Sequence, residues 1–222
     1  VRVTDYGVTD DEIPFYVMEY LKGQNLGQVL QPNPLPIPRF LDFTRQICLG
    51  LETAHKGIIL NSQVIPIIHR DIKPSNILVT QSASVGELVK ILDFGIAKLM
   101  QTDNSEQTSS FMGTLAYASP EQMEGQELDR RSDIYSLGVM MYQMITGALP
   151  LRPNKNTFGG WYKAHRSQEP IPLEGQSPYG GLPKVLKDAI MGCLAKDRDQ
   201  RPSSVGQLLS HLAPLESRFS RS

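Results

Sequence analysis

Residues 134–146 read IYSLGVMMYQMIT, a run with no charged side chain that is apolar on nearly every face of a helix. A helix at a protein surface keeps a polar side, so a helix of this composition has to be enclosed by other elements. The run is too short to cross a bilayer, which takes ~18 or more apolar residues. It therefore predicts a buried helix at the centre of a folded domain. Candidates to enclose it stand on both sides in the chain. Phe40, Phe43, Ile47, Leu51 and Ala54 recur at spacings of 3, 4, 4 and 3 and predict one face of an amphipathic helix from Arg39 to His55. Val185, Leu186, Ala189, Ile190, Cys193 and Leu194 mark a second helix, and Val205, Leu208, Leu209 and Leu212 a third. With 222 residues, 40% of them hydrophobic, the chain can bury a sizeable core.

The strands are few. Val1 to Val8 is strand-like, Asp10-Asp11-Glu12 makes a polar turn, and Ile13 to Leu21 (IPFYVMEYL) has the aromatic and branched content of a buried strand. Lys22 to Asn25 breaks that run, and Leu26 to Leu30 predicts a short helix. Pro32, Pro34, Pro36 and Pro38 punctuate a linker that cannot be helical throughout. Leu78-Val79 and Val89 to Leu92 predict two short strands joined by a polar turn, and Pro150 to Pro183 a long loop with a short helix around Trp161 to His165. The class is α+β. A formal net charge of −1 and a pI near 6.5 point to no broad nucleic-acid or membrane surface. Cys48 and Cys193 fall in apolar-periodic segments and read as reduced core residues, which suits a cytoplasmic protein. His55, His165 and His211 have no partner at metal-ligand spacing, and Met140, Met141 and Met144 read as core filling.

The chemistry concentrates in two short motifs. His69-Arg70-Asp71-Ile72-Lys73-Pro74-Ser75-Asn76 precedes the first of the short strands, and Asp93-Phe94-Gly95 closes the second, seventeen residues after Asn76. Phosphoryl transfer from a nucleotide needs little covalent help from protein. It needs a group that orients the acceptor hydroxyl, oxygen ligands for Mg²⁺, and a cation near the moving phosphoryl group. Asp71, Lys73, Asn76 and Asp93 make up such a set, and two antiparallel strands between the motifs bring Asn76 and Asp93 to one edge.

HRDIKPSN and DFG resemble the catalytic loop and metal-binding triplet of protein kinases. The resemblance continues through Gly113-Thr114-Leu115-Ala116-Tyr117-Ala118-Ser119-Pro120-Glu121, similar to the GTxxYxAPE close of a kinase activation segment, with Ser119 where alanine is usual. It continues through Asp133 to Gly138 (DIYSLG), with Tyr135 where Trp is common, and through Arg201 in KDRDQRP. It implies a protein-kinase-like α+β fold whose mostly helical large lobe is complete and whose small lobe is represented by its last strands. The implied divisions are 1–20 as small-lobe remnant and start of the hinge, 21–216 as large lobe and 217–222 as tail. The catalytic loop then spans 69–76 and the activation segment 93–121.

The resemblance also implies roles. Asp71 is the base or orienting carboxylate, Lys73 steadies the transferred phosphate, and Asn76 and Asp93 hold Mg²⁺. Met18, Glu19, Tyr20 and Leu21 form the hinge against the adenine of ATP, with Leu78 beneath the ring. His69 packs under Phe94, Gly95 completes the triplet, and Thr114, Glu121, Asp133 and Arg201 brace the substrate segment, Glu121 and Arg201 as an ion pair. Arg70 receives a phosphate placed on the activation segment, which offers Thr102, Ser105, Thr108, Ser109 and Ser110, with Thr108, Ser109 and Ser110 favoured. Lys73 and Thr114 suit the Ser/Thr class, so the partners are ATP, Mg²⁺ and a protein carrying a Ser or Thr acceptor.

Two departures stand out. The stretch between His55 and His69 (KGIILNSQVIPII) is longer than the family link and predicts a bulging loop. No Gly-rich phosphate loop, VAIK-type lysine or helix glutamate is present, so the chain reads as cut from something longer and as inactive alone. A truncated or pseudokinase binding module is the alternative. A small-molecule phosphotransferase is disfavoured by Lys73 and the GTxxYxAPE-like segment.

Overall fold

The computed structural model describes residues 1–31, 33–60, 62–84, 86–94 and 113–219. Strands β1 (Val3–Val8) and β2 (Pro14–Met18) form an antiparallel ribbon with Tyr6 opposite Tyr16. The stretch predicted as a buried strand stops at Met18 and leaves Phe15, Tyr16, Val17 and Met18 exposed. A two-stranded ribbon cannot bury a face on itself, and no described layer covers it, so apolar composition did not translate into burial here.

Gly23–Asn25, which reads as a break in the sequence, is a third strand, β3, followed by helix α1 (Leu26–Leu30). Asn25 caps α1 through a reciprocal box with Gln28. Helix α2 (Ile37–Lys56) starts two residues before the predicted Arg39, because Pro38 falls in the first turn, where a missing N–H costs nothing. Its buried face includes all five residues picked out by spacing. The predicted bulge is a hairpin of β4 (Ile58–Leu60) and β5 (Gln63–Ile65) that leaves Ile59 and Val64 exposed.

Strands β6 (Ile77–Ser82) and β7 (Gly86–Ile91) pair antiparallel, and β3 adds to the far side of β6. Gly23 is needed there, since a Cβ would come 2.3 Å from the Val79 carbonyl oxygen of β6. The free edge of β7 is covered by the polar side of α2. Gln46 accepts from Val89 N–H at 2.8 Å and donates to the Glu87 carbonyl at 3.1 Å, while Arg39 forks onto the Glu87 carboxylate.

The remaining helices are α3 (Pro120–Met123), α4 (Arg130–Thr146), α5 (Phe158–Ser167), α6 (Lys184–Cys193) and α7 (Val205–Phe219). Helix α4 contains the uncharged run and is buried on every side, with α2, α6 and α7 in the same core. Asp129 caps its start and Gly147, at φ 77°, ends it in the left-handed region. Gly138 lets α6 approach: a Cβ there would sit 2.6 Å from the Cys193 Cβ. Cys48 and Cys193 are free and buried in this core, and burial pushes the Cys193 thiol up to about 12. Among the described residues no helix is long and apolar enough to cross a membrane.

Tyr135 of α4 links the core to the loop before α3. Its hydroxyl lies 2.8 Å from His165 Nδ1, and His165 Nε2 lies 2.9 Å from the Leu115 carbonyl oxygen. The carbonyl can only accept, so Nε2 carries the proton and Nδ1 accepts from the tyrosine. Burial, helped by the Lys196 charge, lowers the His165 pKa to about 4, so the imidazole is neutral at pH 7. A depressed histidine pKa stabilises the fold above the unfolded value of 6.5, and that contribution is lost as the pH falls toward 4. Compared with a His165→Gln variant, the wild type should lose about 2 kcal/mol of unfolding free energy between pH 7 and pH 5. Urea titrations at the two pH values measure this, and parallel losses in both proteins would contradict it.

Candidate active site

The backbone enters the 69–76 segment through a conformation that arginine rarely adopts, with Arg70 at φ 65°. Asp133, in the first turn of α4 and 1% exposed, holds that turn in place. Its Oδ2 accepts from His69 N–H at 2.8 Å and its Oδ1 from Arg70 N–H at 2.9 Å. His55 Nε2, from α2, lies 2.8 Å from the same Oδ2. A buried carboxylate with three donors satisfies groups that would otherwise be stranded, and it pins two successive amides to α4. His55 has no partner at metal-ligand spacing in the sequence, and only the fold brings it to Asp133.

His69 is fully buried with both ring nitrogens engaged. Nδ1 accepts from Asp71 N–H at 3.2 Å and Nε2 lies 2.9 Å from the Leu92 carbonyl oxygen. Burial lowers its pKa, and its ring packs on Phe94 with centroids 4.7 Å apart. The chain then turns through Pro74–Asn76, a single 3-10 turn, into β6.

This path gathers the polar side chains. Asp71 Oδ2 lies 2.9 Å from Lys73 Nζ and accepts from Asn76 Nδ2 at 3.1 Å. Asn76 Nδ2 also donates to the Asp71 carbonyl at 2.8 Å, so the amide nitrogen faces Asp71. Among the described residues no hydrogen bond reaches Asn76 Oδ1. Lys73 Nζ donates onward to Thr114 Oγ1 at 2.7 Å, which ties the loop to the segment leading into α3. Leu92 N–H donates to the Asn76 carbonyl at 2.8 Å, setting Asp93 next to this group. Asp93 is exposed at φ 49°, and its Oδ1 accepts from the Tyr16 hydroxyl at 2.9 Å. That hydrogen bond, and secondarily burial, raises the Tyr16 pKa. Nothing in the sequence singles out Tyr16, because an aromatic residue in a strand reads as packing.

The family described as "Protein kinase domain" matches residues 1–212 of this sequence. The chain belongs to the protein kinase family. It is 55% identical over 216 residues to "Serine/threonine-protein kinase A" of Synechocystis sp., a match spanning 97% of this chain and 41% of that protein. It is 38% identical over 225 residues to "Serine/threonine-protein kinase pkn2" of Myxococcus xanthus, covering 99% of this chain and 25% of the relative. The chain thus spans less than half the length of these curated relatives. In fold it is similar to a crystal structure of the Mycobacterium tuberculosis PknI kinase domain. The TM-score is 0.67 at 22% identity, over 96% of this chain and 69% of that one.

In this kinase chain the stretch the resemblance assigns to adenine is open. Met18 and Tyr20 are exposed, Leu21 and Leu78 half-buried. Glu19 is drawn to Lys90 of β7 at 2.9 Å, which lowers its pKa, and its Oε1 also accepts from Arg2 N–H at 3.0 Å. Neither of two surface cavities is lined by Asp71, Asn76 or Asp93. One, of about 520 Å³, lies beside Tyr20, Val79 and Glu87, and the other, of about 460 Å³, beside Glu124, Arg166 and Lys196. Tyr20 and Leu21 of the stretch assigned to adenine line the first cavity, and Leu78 does not. Among the described residues no three His, Cys, Asp or Glu side chains converge on one point at metal-binding distance. Gly95, Thr102, Ser105, Thr108, Ser109 and Ser110 lie outside the described residues.

The far end of the segment is fixed by charge. Arg201 forks onto Glu121 at 2.7 and 2.9 Å, with the two side chains 0% and 5% exposed. Ser132 adds a donor to Glu121 at 2.6 Å, and the Arg201 guanidinium also donates to the Ala195, Lys196 and Arg131 carbonyls and stacks over Tyr135. Burial pushes the Glu121 carboxyl up, but Arg201 and Ser132 outweigh it and hold the pKa below the ordinary carboxylate value. Replacing Glu121 by Ala should cost about 3–5 kcal/mol, because the guanidinium stays buried without its counter-charge. Chemical denaturation of wild type and variant measures this, and a loss under about 1 kcal/mol, the size of an exposed pair, would contradict it.

Proposed function

We propose that the protein carrying these residues transfers the γ-phosphate of ATP to Ser or Thr hydroxyls of protein substrates, with Mg²⁺. The observation that carries this reading is the cluster of Asp71, Lys73, Asn76 and Thr114, linked by bonds of 2.7 to 3.1 Å. Its donor set fits magnesium, a hard cation that takes oxygen ligands: Asn76 turns its nitrogen to Asp71 and keeps Oδ1 for another partner, and Asp93 lies exposed beside it. Magnesium, held by Asn76 and Asp93, would neutralise charge that develops as the phosphoryl group moves.

The side chains divide the remaining work. The Asp71 carboxylate orients the acceptor hydroxyl and takes its proton as the new oxygen–phosphorus bond forms and the bond to the nucleotide oxygen breaks. Lys73 sits between Asp71 and Thr114 and offers its positive charge to the departing γ-phosphate. Its bond to Thr114 couples the loop to the segment on which a protein substrate would lie. Met18 to Leu21 and Leu78 flank adenine in this reading. The division into small-lobe residues 1–20, large lobe 21–216 and tail 217–222 is part of the same proposal. Free, buried Cys48 and Cys193 support a cytoplasmic setting, where ATP is also supplied.

Arg70 takes a regulatory place. Among the described residues its side chain has no hydrogen-bond or ion-pair partner, while its backbone is fixed by Asp133 and by Gln122, which donates to the Arg70 carbonyl at 2.8 Å. A phosphate on Thr108, Ser109 or Ser110 would give it one.

Radiolabelled ATP tests the reading in the purified natural protein. Asp71→Asn should lower the rate of phosphate transfer by about 10²–10⁴-fold with the melting temperature unchanged. In the active wild type, phosphopeptide mapping should find phosphate within Thr108 to Ser110. Asp71→Asn turnover within a few-fold of wild type would refute the role of that carboxylate.

A further inference from the structure

Asp93 stands two residues beyond the end of β7 at φ 49°, exposed to solvent. A non-glycine residue in the left-handed region is locally strained, and an exposed carboxylate has several rotamers open to it. One described side chain holds this one: the Tyr16 hydroxyl donates to Asp93 Oδ1 at 2.9 Å. Tyr16 is brought from 77 positions earlier in the chain by the β1–β2 ribbon. A second tie fixes the ribbon beside the end of β7, the Glu19–Lys90 ion pair at 2.9 Å, and Glu19 also takes Arg2 N–H. Glu19 and Tyr16 are three residues apart on the ribbon, and Lys90 and Asp93 three apart on the other side. The two polar contacts therefore act as parallel ties.

A phenol is a rigid donor with one proton, so its direction is set by the ring and hence by the ribbon. A carboxylate has two oxygens and about four lone-pair sites. A single bond to Oδ1 selects one orientation of Asp93, and among the described residues no hydrogen bond reaches Oδ2. We propose that Tyr16 is a positioning residue for the metal: it orients Asp93 so that Oδ2 faces Mg²⁺ on the nucleotide. This rests on the proposed function, in which Asp93 is a metal ligand. It adds a role for a strand tyrosine that the catalytic motifs do not include. It also makes the metal affinity depend on where the ribbon sits. Partners that hydrogen-bond a ligating carboxylate typically change metal affinity by ~10–100-fold when removed.

The test uses the purified natural protein and Tyr16→Phe, which keeps the ring on a half-exposed strand and removes the donor. Tyr6→Phe is the control, because Tyr6 lies directly across the ladder from Tyr16 and has no bond to Asp93. Binding of Mn²⁺ in the presence of ADP is followed by the electron paramagnetic resonance signal of the free ion. The Mg²⁺ concentration for half-maximal phosphate transfer is measured alongside. Tyr16→Phe should weaken Mn²⁺ binding about tenfold and raise the half-maximal Mg²⁺ concentration by a similar factor. At saturating Mg²⁺ its kcat should stay within about threefold of wild type, and Tyr6→Phe should match wild type throughout. Unchanged metal dependence, or a lower kcat and melting temperature without any change in metal dependence, would overturn the proposal. Asp93→Asn separates the two levels. If it abolishes Mn²⁺ binding while Tyr16→Phe does nothing, only the role of Tyr16 fails. If it leaves Mn²⁺ binding at the wild-type level, the metal assignment of Asp93 fails, and the proposal with it.

Discussion

The Asp133 carboxylate accepts the amide protons of His69 and Arg70 from inside the protein, 2.8 and 2.9 Å away, and the site depends on these two bonds. An arginine at φ 65° is not a conformation the chain adopts unaided. It persists because each amide is satisfied by a charge that has no water to turn to. The turn it produces directs Asp71 toward Lys73 and Asn76 and drops His69 into the core, where its two nitrogens bind Asp71 N–H and the Leu92 carbonyl. The loop is thus held at its start by α4 and along its length by its own histidine.

Helix α4 also explains why a site made of loops is well defined. Asp133 holds the 69–76 loop, Ser132 and the Arg131 carbonyl join the Glu121–Arg201 pair, and Tyr135 reaches His165 and through it Leu115. Three consecutive residues, 131–133, and Tyr135 carry these polar tasks where the apolar run begins. Burying so many polar groups is tolerable only because nearly all are paired. The absence of charge after Asp133 lets the rest of the helix sink into the core, so the polar first turn is carried on a rigid body. By contrast the β1–β2 ribbon is exposed and tied by side-chain bonds at Glu19 and Tyr16. The core side of the site carries Asp71 and Asn76, and the exposed ribbon reaches Asp93.

Much of this was legible in the sequence, for reasons of period and spacing. Helices α2, α6 and α7 announce themselves because their apolar residues recur at helical intervals, α4 because it is apolar nearly all round, and HRDIKPSN with DFG is too specific a pattern to misread. What escaped depended on tertiary placement. Strand β3 is three residues long and carries no alternation, so only its pairing with β6 identifies it. The aromatic strand after Ile13 looks buried because composition reports what a face prefers, not what lies against it. His55 and Tyr16 gave no sign of their partners, which lie 78 and 77 positions away in the chain. The hairpin at 58–65 was visible as extra length but not as strands, since KGIILNSQVIPII offers no strict alternation.

Amide hydrogen exchange at His69 and Arg70 tests the central claim most directly, comparing the wild type with Asp133→Asn. The asparagine keeps the shape of the side chain but presents an N–H₂ group where one amide needs an acceptor. The two amides should exchange slowly in the wild type and about 10–100-fold faster in the variant, as expected for losing a hydrogen bond to a charged group, with the body of α4 equally protected in both. Equal exchange at His69 and Arg70 in the two proteins would contradict the account.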